Sequence, residues 1–264
     1  MLEVKNLKKH FGHIEAVKGI SFTVEKGEVL GFLGPNGAGK STTMRMITGF
    51  LPPTSGTAIV CGHDVQKDPV SAKRAMGYLP ENAPAYDSMM VTDFLRFAAR
   101  LRGMSGVALE DKVEATIHKC HLLKVRNQSI HTLSKGYRQR TCFAQAIIHD
   151  PPVLIMDEPT DGLDPNQKHV VRSMINDMAA EKVIIVSTHI LEEVEAVCSR
   201  AVIIANGKIV TNSTPDELKS QSKNGRLDEV FRRLTLDDED DAYKPASAGE
   251  KDAHKLSPAH KEDM

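Results

Sequence analysis

The nine residues GPNGAGKST, at positions 34–42, restrict the possible folds of this chain more than any other stretch. They follow the apolar run EVLGFL (28–33) and lead into TTMRMI (42–47), so that a strand, a tight loop and a helix are predicted in succession. Glycines let such a loop curl until its backbone N–H groups point inward. The start of the following helix adds the positive end of its dipole. The pattern G-x-x-x-x-G-K-[ST] therefore predicts a phosphate-binding loop.

The side chains of this loop have separate predicted roles. Lys40 can reach the β- and γ-phosphates of a nucleotide, and the Ser41 hydroxyl can ligate Mg²⁺. Thr42 can add a further phosphate contact. The alternative is a glycine-rich turn that binds nothing, which the strand before it and the helix after it disfavour. The residues predicted to form the backbone cradle are Gly34, Pro35, Asn36, Gly37, Ala38 and Gly39.

A second apolar run, VLIMDE (153–158), ends in two carboxylates. Asp157 suits the coordination shell of Mg²⁺, directly or through water. Glu158 can orient a water molecule for attack on the γ-phosphate and take its proton, which makes it the candidate general base. An acidic strand end at a solvated sheet edge is the alternative interpretation, and the phosphate loop elsewhere in the chain argues against it.

The apolar runs indicate an α/β fold. Strand-like runs come first, helix-like runs fill the middle, and strand-like runs return after Pro151. Uniformly apolar strands that alternate with helices are typical of a mostly parallel sheet with helices on both faces. Residues from about 82 to 150 are predicted as a helical insertion, with Thr92 as the cap of its first helix. The predicted strands are 2–6, 20–25, 28–33, 57–60, 76–79, 153–157, 183–187 and 201–205, and the predicted helices of the insertion are 91–101, 107–123 and 137–149.

Charge is unevenly distributed along the 264 residues. Residues 236–264 contain nine acidic and four basic residues and are predicted to be a disordered tail. The remainder keeps 30 of the 34 basic residues and 26 of the 35 acidic ones, a small excess that gives no general attraction for nucleic acid.

The four cysteines lie far apart in sequence, which predicts neither a disulfide framework nor a zinc site and fits a reducing cytosol. No N-terminal run resembles a signal peptide. The longest apolar runs are far below the ~18 residues that a membrane span requires. We therefore expect any membrane association to occur through a partner.

The stretch LSKGYRQR (133–140) places three cations, Lys135, Arg138 and Arg140, within eight residues. A basic nucleic-acid patch, a solvated helix face and half of a phosphate site are all compatible with it. Beside a phosphate loop and an acidic strand end, it resembles the LSGGQ signature of ABC-type ATPases, with Lys135 in place of a glycine. Arg138 and Arg140 are predicted on the solvated face of the following helix.

The order of the other motifs also resembles that family. Phe11 precedes Gly34 by 23 residues and holds the position of the aromatic that stacks on adenine. Glu81, in GYLPEN, replaces the glutamine of the Q-loop, where a carboxylate can ligate Mg²⁺. His189, in STHIL, resembles the switch histidine and is a catalytic candidate together with Glu158. The segment that resembles the D-loop consists of Asp161, Gly162, Leu163 and Asp164.

The resemblance covers residues 1 to about 220 and implies a fold and a mode of action. The fold is a P-loop NTPase core with an N-terminal antiparallel β subdomain and the inserted helical subdomain, in an ABC ATP-binding domain of residues 1–235. ATP and Mg²⁺ are the implied cofactors. Two cassettes, as a homodimer or with a second ATPase subunit, pair head to tail, and each signature caps the γ-phosphate bound by the other. The signature residues in trans would be Ser134, Lys135, Gly136 and Tyr137.

GYLPEN and LSKGYRQR together resemble a bacterial subgroup that is paired with ABC-2-type permeases, including gliding-motility and nitrous-oxide-reductase-maturation ATPases. The expected partner is an integral membrane permease, which would hold the chain on the cytoplasmic face of the inner membrane. The alternative is a soluble ABC ATPase that acts on ribosomes or nucleic acid. Proteins of this type that act in translation usually carry two cassettes in one chain, whereas this chain has one phosphate loop and one signature. In chromosome-type relatives long coiled coils separate the two motifs, whereas here about 92 residues lie between Ser41 and Ser134. A GTPase is disfavoured because no NKxD-type guanine motif is present.

Overall fold

The computed structural model describes residues 1–222 and 224–235, and the predicted acidic tail at 236–264 lies outside them. Within these residues the chain forms ten strands and nine α-helices. The strands are β1 (Leu2–Phe11), β2 (Ile14–Val24), β3 (Val29–Leu33), β4 (Ser55–Val60), β5 (His63–Asp64), β6 (Met76–Leu79), β7 (Val153–Asp157), β8 (Val183–Thr188), β9 (Arg200–Ala205) and β10 (Lys208–Ser213). The helices are α1 (Lys40–Ile47), α2 (Pro69–Arg74), α3 (Val91–Leu101), α4 (Gly106–Lys119), α5 (Lys135–Ile147), α6 (Pro165–Ala179), α7 (Leu191–Val197), α8 (Pro215–Ser220) and α9 (Leu227–Thr235).

The larger sheet has six strands in the order β10-β9-β3-β8-β7-β6. All neighbours are parallel except β10, which pairs with β9 in antiparallel fashion. Every residue of β3, β7 and β8 is buried, because helices or the second sheet cover both faces. The predicted mostly parallel α/β core is therefore confirmed.

The smaller sheet is antiparallel, in the order β2-β1-β4-β5. It shares a core with one face of the larger sheet, and α1 contributes Met44 and Ile47 to that core. The rings of Phe22 in β2 and Phe32 in β3 have centroids 5.6 Å apart. This packing confirms the expected N-terminal antiparallel β subdomain and holds the loop between β3 and α1 against it.

Helices α3, α4 and α5 lie in sequence between β6 and β7, which are adjacent and parallel in the sheet. Helix α5 lies directly on β6. A Cβ atom at Gly77 would be only 2.1 Å from the carbonyl oxygen of Ala146. Across the described ranges, no helix combines the length and apolar composition needed to cross a membrane.

The prediction that Thr92 caps α3 is wrong. The N-cap is Met90, and the Thr92 hydroxyl donates to the carbonyl oxygen of Arg126 at 2.8 Å. The backbone N–H groups of Val91 and Thr92 also donate to the loop, at the carbonyls of Gln128 and Arg126. A distant loop thus satisfies the first-turn donors that a capping side chain would otherwise serve.

The helix bounds within the insertion also differ from the prediction. Helix α4 ends at Lys119 instead of 123, because His121 adopts a left-handed φ of 53° that stops the helix. Helix α5 begins at Lys135 instead of 137, since the Ser134 hydroxyl accepts a hydrogen bond from the Tyr137 N–H at 3.4 Å.

Candidate active site

The loop between β3 and α1 closes tightly against its surroundings. Gly39 precedes α1 with a φ of 104°, and a Cβ atom there would lie 2.6 Å from the Ala16 carbonyl oxygen. A Cβ atom at Gly34 would lie 2.4 Å from the Ile204 carbonyl oxygen. Gly37, with a φ of 81°, faces open space. Only glycine fits the first two positions, so the sequence pattern has a steric cause.

A cavity of about 400 Å³ opens at this loop. It lies at the carboxyl end of the parallel strands, where ligands of open α/β sheets bind. The lining residues are Ala16, Pro35, Asn36, Gly37, Gly39, Lys40, Ser41, Thr42, Glu81, Glu158, Asp161 and His189. The structure therefore brings together the phosphate loop, the candidate base, the Q-loop position and the histidine, as the motif order implied.

Lys40 is a nearly buried cation in this cavity, with 6% of its surface exposed. Its Nζ donates to the carbonyl oxygens of Gly34 at 2.7 Å and Pro35 at 3.2 Å. It also lies 3.7 Å from Glu158 Oε1. A buried ammonium held mainly by neutral carbonyls is well placed to receive an anionic ligand.

The oxygen atoms around Asp157 fit Mg²⁺. Asp157 is 1% exposed, and its Oδ1 accepts hydrogen bonds from Ser41 Oγ at 3.3 Å and from the Ser187 hydroxyl. Glu81 supplies a further carboxylate in the cavity lining. Among the described residues no cluster of three or more potential metal-binding side chains occurs. Carboxylate and hydroxyl oxygens are the hard ligands that suit Mg²⁺, which is held by one or two carboxylates plus substrate phosphates.

Glu158 is held between two partners. It is 8% exposed, and its Oε2 lies 2.9 Å from His189 Nδ1. Its backbone is left-handed with a φ of 49°, a conformation that costs on the order of 1–2 kcal/mol for a non-glycine residue. This conformation turns the side chain away from the line of β7 and into the cavity. A water molecule bound beside the other carboxylate oxygen, Oε1, would be close enough to give its proton to Glu158.

The signature segment does not line this cavity. Ser134 is the N-cap of α5, and the side chain of Gln167 fills the space beside Gly136, where a Cβ atom would lie 2.6 Å from its Oε1. Lys135 Nζ lies 3.5 Å from Asp161 Oδ2 and covers Gly162. No residue of the signature thus belongs to the lining of this cavity, although Lys135 pairs with Asp161, which does belong to it.

The remaining predicted positions have other surroundings. Phe11 is 47% exposed and is absent from the cavity lining, while Lys9 Nζ lies 5.1 Å from its ring centroid. Leu163 is buried in the core. Asp164 is the N-cap of α6 and accepts from the N–H groups at 166 and 167. Within a single chain these residues are structural or lie outside the cavity.

The prediction of a solvated position for Arg140 is wrong. It is 5% exposed and donates to the carbonyl oxygens of His121 at 3.1 Å and Gly136 at 3.4 Å. Its guanidinium also lies 4.3 Å from the centroid of the Tyr137 ring. Arg138 is partly exposed and pairs with Asp87 at 2.5 Å. The His121 carbonyl, just after α4, accepts a hydrogen bond from Arg140 and so holds the arginine in the interior. The periodicity of α5 alone gives no sign of this contact.

Three polar groups that the sequence analysis did not single out lie beside the acids. Burial, and next the Asp157 carboxylate, raise the pKa of Tyr78 to about 12, so that it remains a neutral hydroxyl. Ser187 contacts both acids. Burial raises the pKa of Glu193, whose Oε2 accepts from the Thr188 hydroxyl at 2.9 Å. For Ser187, the polar residues at the end of the apolar strand β8 were the available signal.

Comparison with known proteins agrees with this site. Residues 17–161 match the family described as ABC transporter. The probable multidrug ABC transporter ATP-binding protein YbhF of Escherichia coli is 37% identical over 243 residues, which cover 90% of this chain but only 42% of YbhF. The ABC transporter ATP-binding protein NatA of Bacillus subtilis is 35% identical over 220 residues, 83% of this chain and 89% of NatA.

A solved structure described as the ATP binding subunit of an ABC transporter superimposes with a TM-score of 0.80 at 31% identity. The match covers 89% of this chain and 99% of that structure. The family match spans more than half of the chain, and both comparisons cover most of it. The chain therefore belongs to the ABC transporter family, in which it forms the ATP-binding ATPase cassette.

Proposed function

We propose that residues 1–235 are an ABC ATP-binding domain that hydrolyses ATP as a head-to-tail dimer and drives a separate integral membrane permease. The observation that carries the proposal is Glu158, held between Lys40 and His189 at the mouth of the phosphate loop. A base, a phosphate-binding cation and a positioning imidazole in one cavity are the groups that phosphoryl transfer to water requires.

Each residue of the cavity has one task in this scheme. Lys40 offsets the charge of the β- and γ-phosphates, and the backbone of residues 34–39 binds their oxygens. His189 holds Glu158 Oε2, while Oε1, which lies 3.7 Å from Lys40 Nζ, takes the proton of the attacking water. Bound Mg²⁺, with Ser41, Asp157 and Glu81 as the proposed ligands, would offset the charge that develops on the phosphates.

The dimer is supported by the position of the signature, which does not line the cavity of its own chain. Ser134 offers a hydroxyl and α5 offers its N-terminus, yet neither borders the cavity of its own chain. A second cassette that is turned head to tail would bring its signature to this cavity. Phe11, exposed on the antiparallel sheet, would stack on the adenine.

Concentration dependence tests this arrangement. ATPase activity should rise faster than linearly with protein concentration while the monomer predominates, because each active site needs two chains. The ADP-bound form should sediment as a monomer, since the γ-phosphate is the group that both chains contact. Phosphate release measured over a dilution series, with sedimentation in ATP and in ADP, provides the measurement. Activity strictly proportional to concentration in a purely monomeric sample would contradict the dimer.

A groove beside α3 supports the permease partner. Two adjoining cavities of about 740 and 480 Å³ share Leu101, Arg102 and Gln145. Exposed apolar side chains line them, with Phe50 at 75% and Leu101 at 71% exposure. Large exposed apolar patches mark interaction sites. The groove is lined in part by Met76 and Tyr78 of the edge strand β6, and it shares no lining residue with the nucleotide cavity.

The charge of this groove indicates the chemistry of its occupant. Four cationic side chains line it, and its lining residues include no acidic side chain. We infer that it binds a cytoplasmic segment of the permease that combines an apolar anchor with acidic residues. The cations are Lys73, Arg74, Arg100 and Arg102.

Reversal of two of these charges should separate the ATPase from its permease. The double variant Lys73→Glu with Arg100→Glu should lose about tenfold or more in capture by the partner permease, because like charges now face each other. ATP hydrolysis by the isolated cassette should remain. The matched control is Lys26→Glu with Lys208→Glu, which reverses two charges away from the groove. Undiminished capture by the groove variant would exclude the groove as the docking site.

The proposed subgroup is that of ABC-2-type exporters, on the strength of GYLPEN and LSKGYRQR. The chain would then lie on the cytoplasmic face of the inner membrane through its permease. An action on nucleic acid is less favoured, because all three cations of LSKGYRQR have intramolecular partners. Lys135 pairs with Asp161, Arg138 pairs with Asp87, and Arg140 is buried.

A further inference from the structure

Ser187 occupies an unusual position in the strand β8. It lies directly opposite Asp157 of β7 in the parallel register, and it is fully buried. The four residues before it, VIIV, are all apolar, and another valine would suit a strand buried on both faces. A buried hydroxyl is unfavourable unless it forms hydrogen bonds. The contacts of this hydroxyl therefore need an explanation.

The hydroxyl contacts both acids of the active site. It donates to Asp157 Oδ1 and accepts from the Glu158 N–H at 3.2 Å. A serine has one proton to donate and lone pairs to accept with, so that both bonds exist at once. The same N–H also reaches the Ser187 carbonyl oxygen at 3.1 Å. One side chain of β8 thus connects two consecutive residues of β7.

The two bonds act on different features of the site. Asp157 Oδ1 also accepts from Ser41 Oγ, the proposed metal ligand, at a longer 3.3 Å. The Ser187 bond comes from the neighbouring strand and does not depend on Ser41, so it can orient Asp157 while Ser41 contacts the metal. The bond from the Glu158 N–H supports the left-handed φ of 49° that turns the carboxylate into the cavity.

We propose that Ser187 is a positioning residue. Its hydroxyl orients the Asp157 carboxylate toward Mg²⁺, and it holds the Glu158 backbone so that the Glu158 carboxylate faces the attacking water. This proposal rests on the proposed ATPase function. It adds a contribution from β8 itself to that of His189, the residue that follows this strand. It also explains why the apolar run of β8 ends in a polar residue at the register position of Asp157.

The substitution Ser187→Ala tests the proposal without activity as its only readout. Binding of Mn²⁺ in the presence of a non-hydrolysable ATP analogue, followed by the electron paramagnetic resonance signal of free Mn²⁺, should weaken about tenfold, the typical effect of one lost bond to a charged group. The maximal ATPase rate should fall about tenfold or more, with little change in the KM for ATP. Analogue affinity without metal should stay unchanged.

Two further variants separate positioning from a general loss of stability. Ser187→Thr keeps the hydroxyl in a β-branched side chain that strands accommodate, and it should restore Mn²⁺ binding to within about threefold of wild type. Ser199→Ala removes a hydroxyl that bonds to Val29 at the edge of the core, and it should change neither readout. Thermal unfolding of each variant verifies that it is folded.

The proposal is overturned if Ser187→Ala binds Mn²⁺ and turns over like wild type. It is equally overturned if a folded Ser187→Thr variant is as impaired as the alanine variant, because the hydroxyl would then not be the cause. A wild-type chain that neither binds Mn²⁺ with the analogue nor hydrolyses ATP would instead refute the proposed function itself. The two failures are thus distinguishable.

Discussion

Glu158→Gln is expected to lower the ATPase rate about 10²- to 10⁴-fold and to leave ATP binding intact. The amide keeps the shape of the side chain and can still contact His189, 2.9 Å away in the native carboxylate form, but it cannot take a proton. Because hydrolysis no longer removes the γ-phosphate, the ATP-bound dimer should accumulate. Phosphate release and the sedimentation of the variant in ATP provide the measurements.

Glu181→Gln is the matched control for this variant. Glu181 is an exposed glutamate that pairs with Lys26 on the surface, so that the same chemical change should leave turnover near wild type. Turnover of Glu158→Gln within severalfold of wild type would assign the proton transfer to another group. Loss of ATP binding would instead indicate that the Glu158 charge, 3.7 Å from Lys40 Nζ, holds the lysine in place.

The nucleotide cavity could be predicted from the sequence because its pattern has a local cause. Gly39 has a left-handed backbone, and a Cβ atom added there would lie 2.6 Å from the Ala16 carbonyl oxygen. The loop can therefore be recognised from a few consecutive residues. The same holds for Asp157 and Glu158 at the end of an apolar strand. The α/β class followed from uniformly apolar strands that alternate with helices, and every residue of β3 and β7 is indeed buried.

Contacts between distant segments could not be predicted in this way. Arg140 is buried because the carbonyl of His121 lies beside it, and Thr92 is engaged by Arg126 instead of capping its helix. Ser187 faces Asp157 only through the register of two strands that are 30 residues apart in the chain. Sequence periodicity describes one helix or strand at a time, whereas the contacts of these three residues depend on a second segment of the chain.

Ser134→Arg is expected to abolish ATP hydrolysis while the monomer keeps its affinity for ATP. The arginine would replace the hydroxyl at the start of α5 and fill the surface that receives the partner's γ-phosphate. Its own phosphate loop is untouched, since Ser134 does not border that cavity. Calorimetric titration of ATP below the dimerisation concentration, together with phosphate release above it, provides the measurement. Ser134→Thr, which keeps a hydroxyl at the cap, is the control.

Lys40→Ala has the complementary defect, because the lost ammonium offsets phosphate charge in the ground state and in the transition state alike. It should weaken ATP binding by its own chain and leave its signature intact. A mixed dimer of the two variants then has one composite site with both lesions and one with neither. If the sites act independently, an equal mixture should recover roughly a quarter of wild-type activity from two inactive parents.

Recovered activity in the mixture would be difficult to explain unless each site takes its signature from the other chain. If Ser134→Arg abolished ATP binding by the monomer, the signature would serve its own nucleotide, and the mixture would stay inactive because neither chain could bind ATP. If the variant changed RNA binding and left hydrolysis untouched, LSKGYRQR would be a nucleic-acid surface after all. Because Lys135 pairs with Asp161 and Arg138 with Asp87, we expect neither result and place the function of this segment at the partner's phosphate.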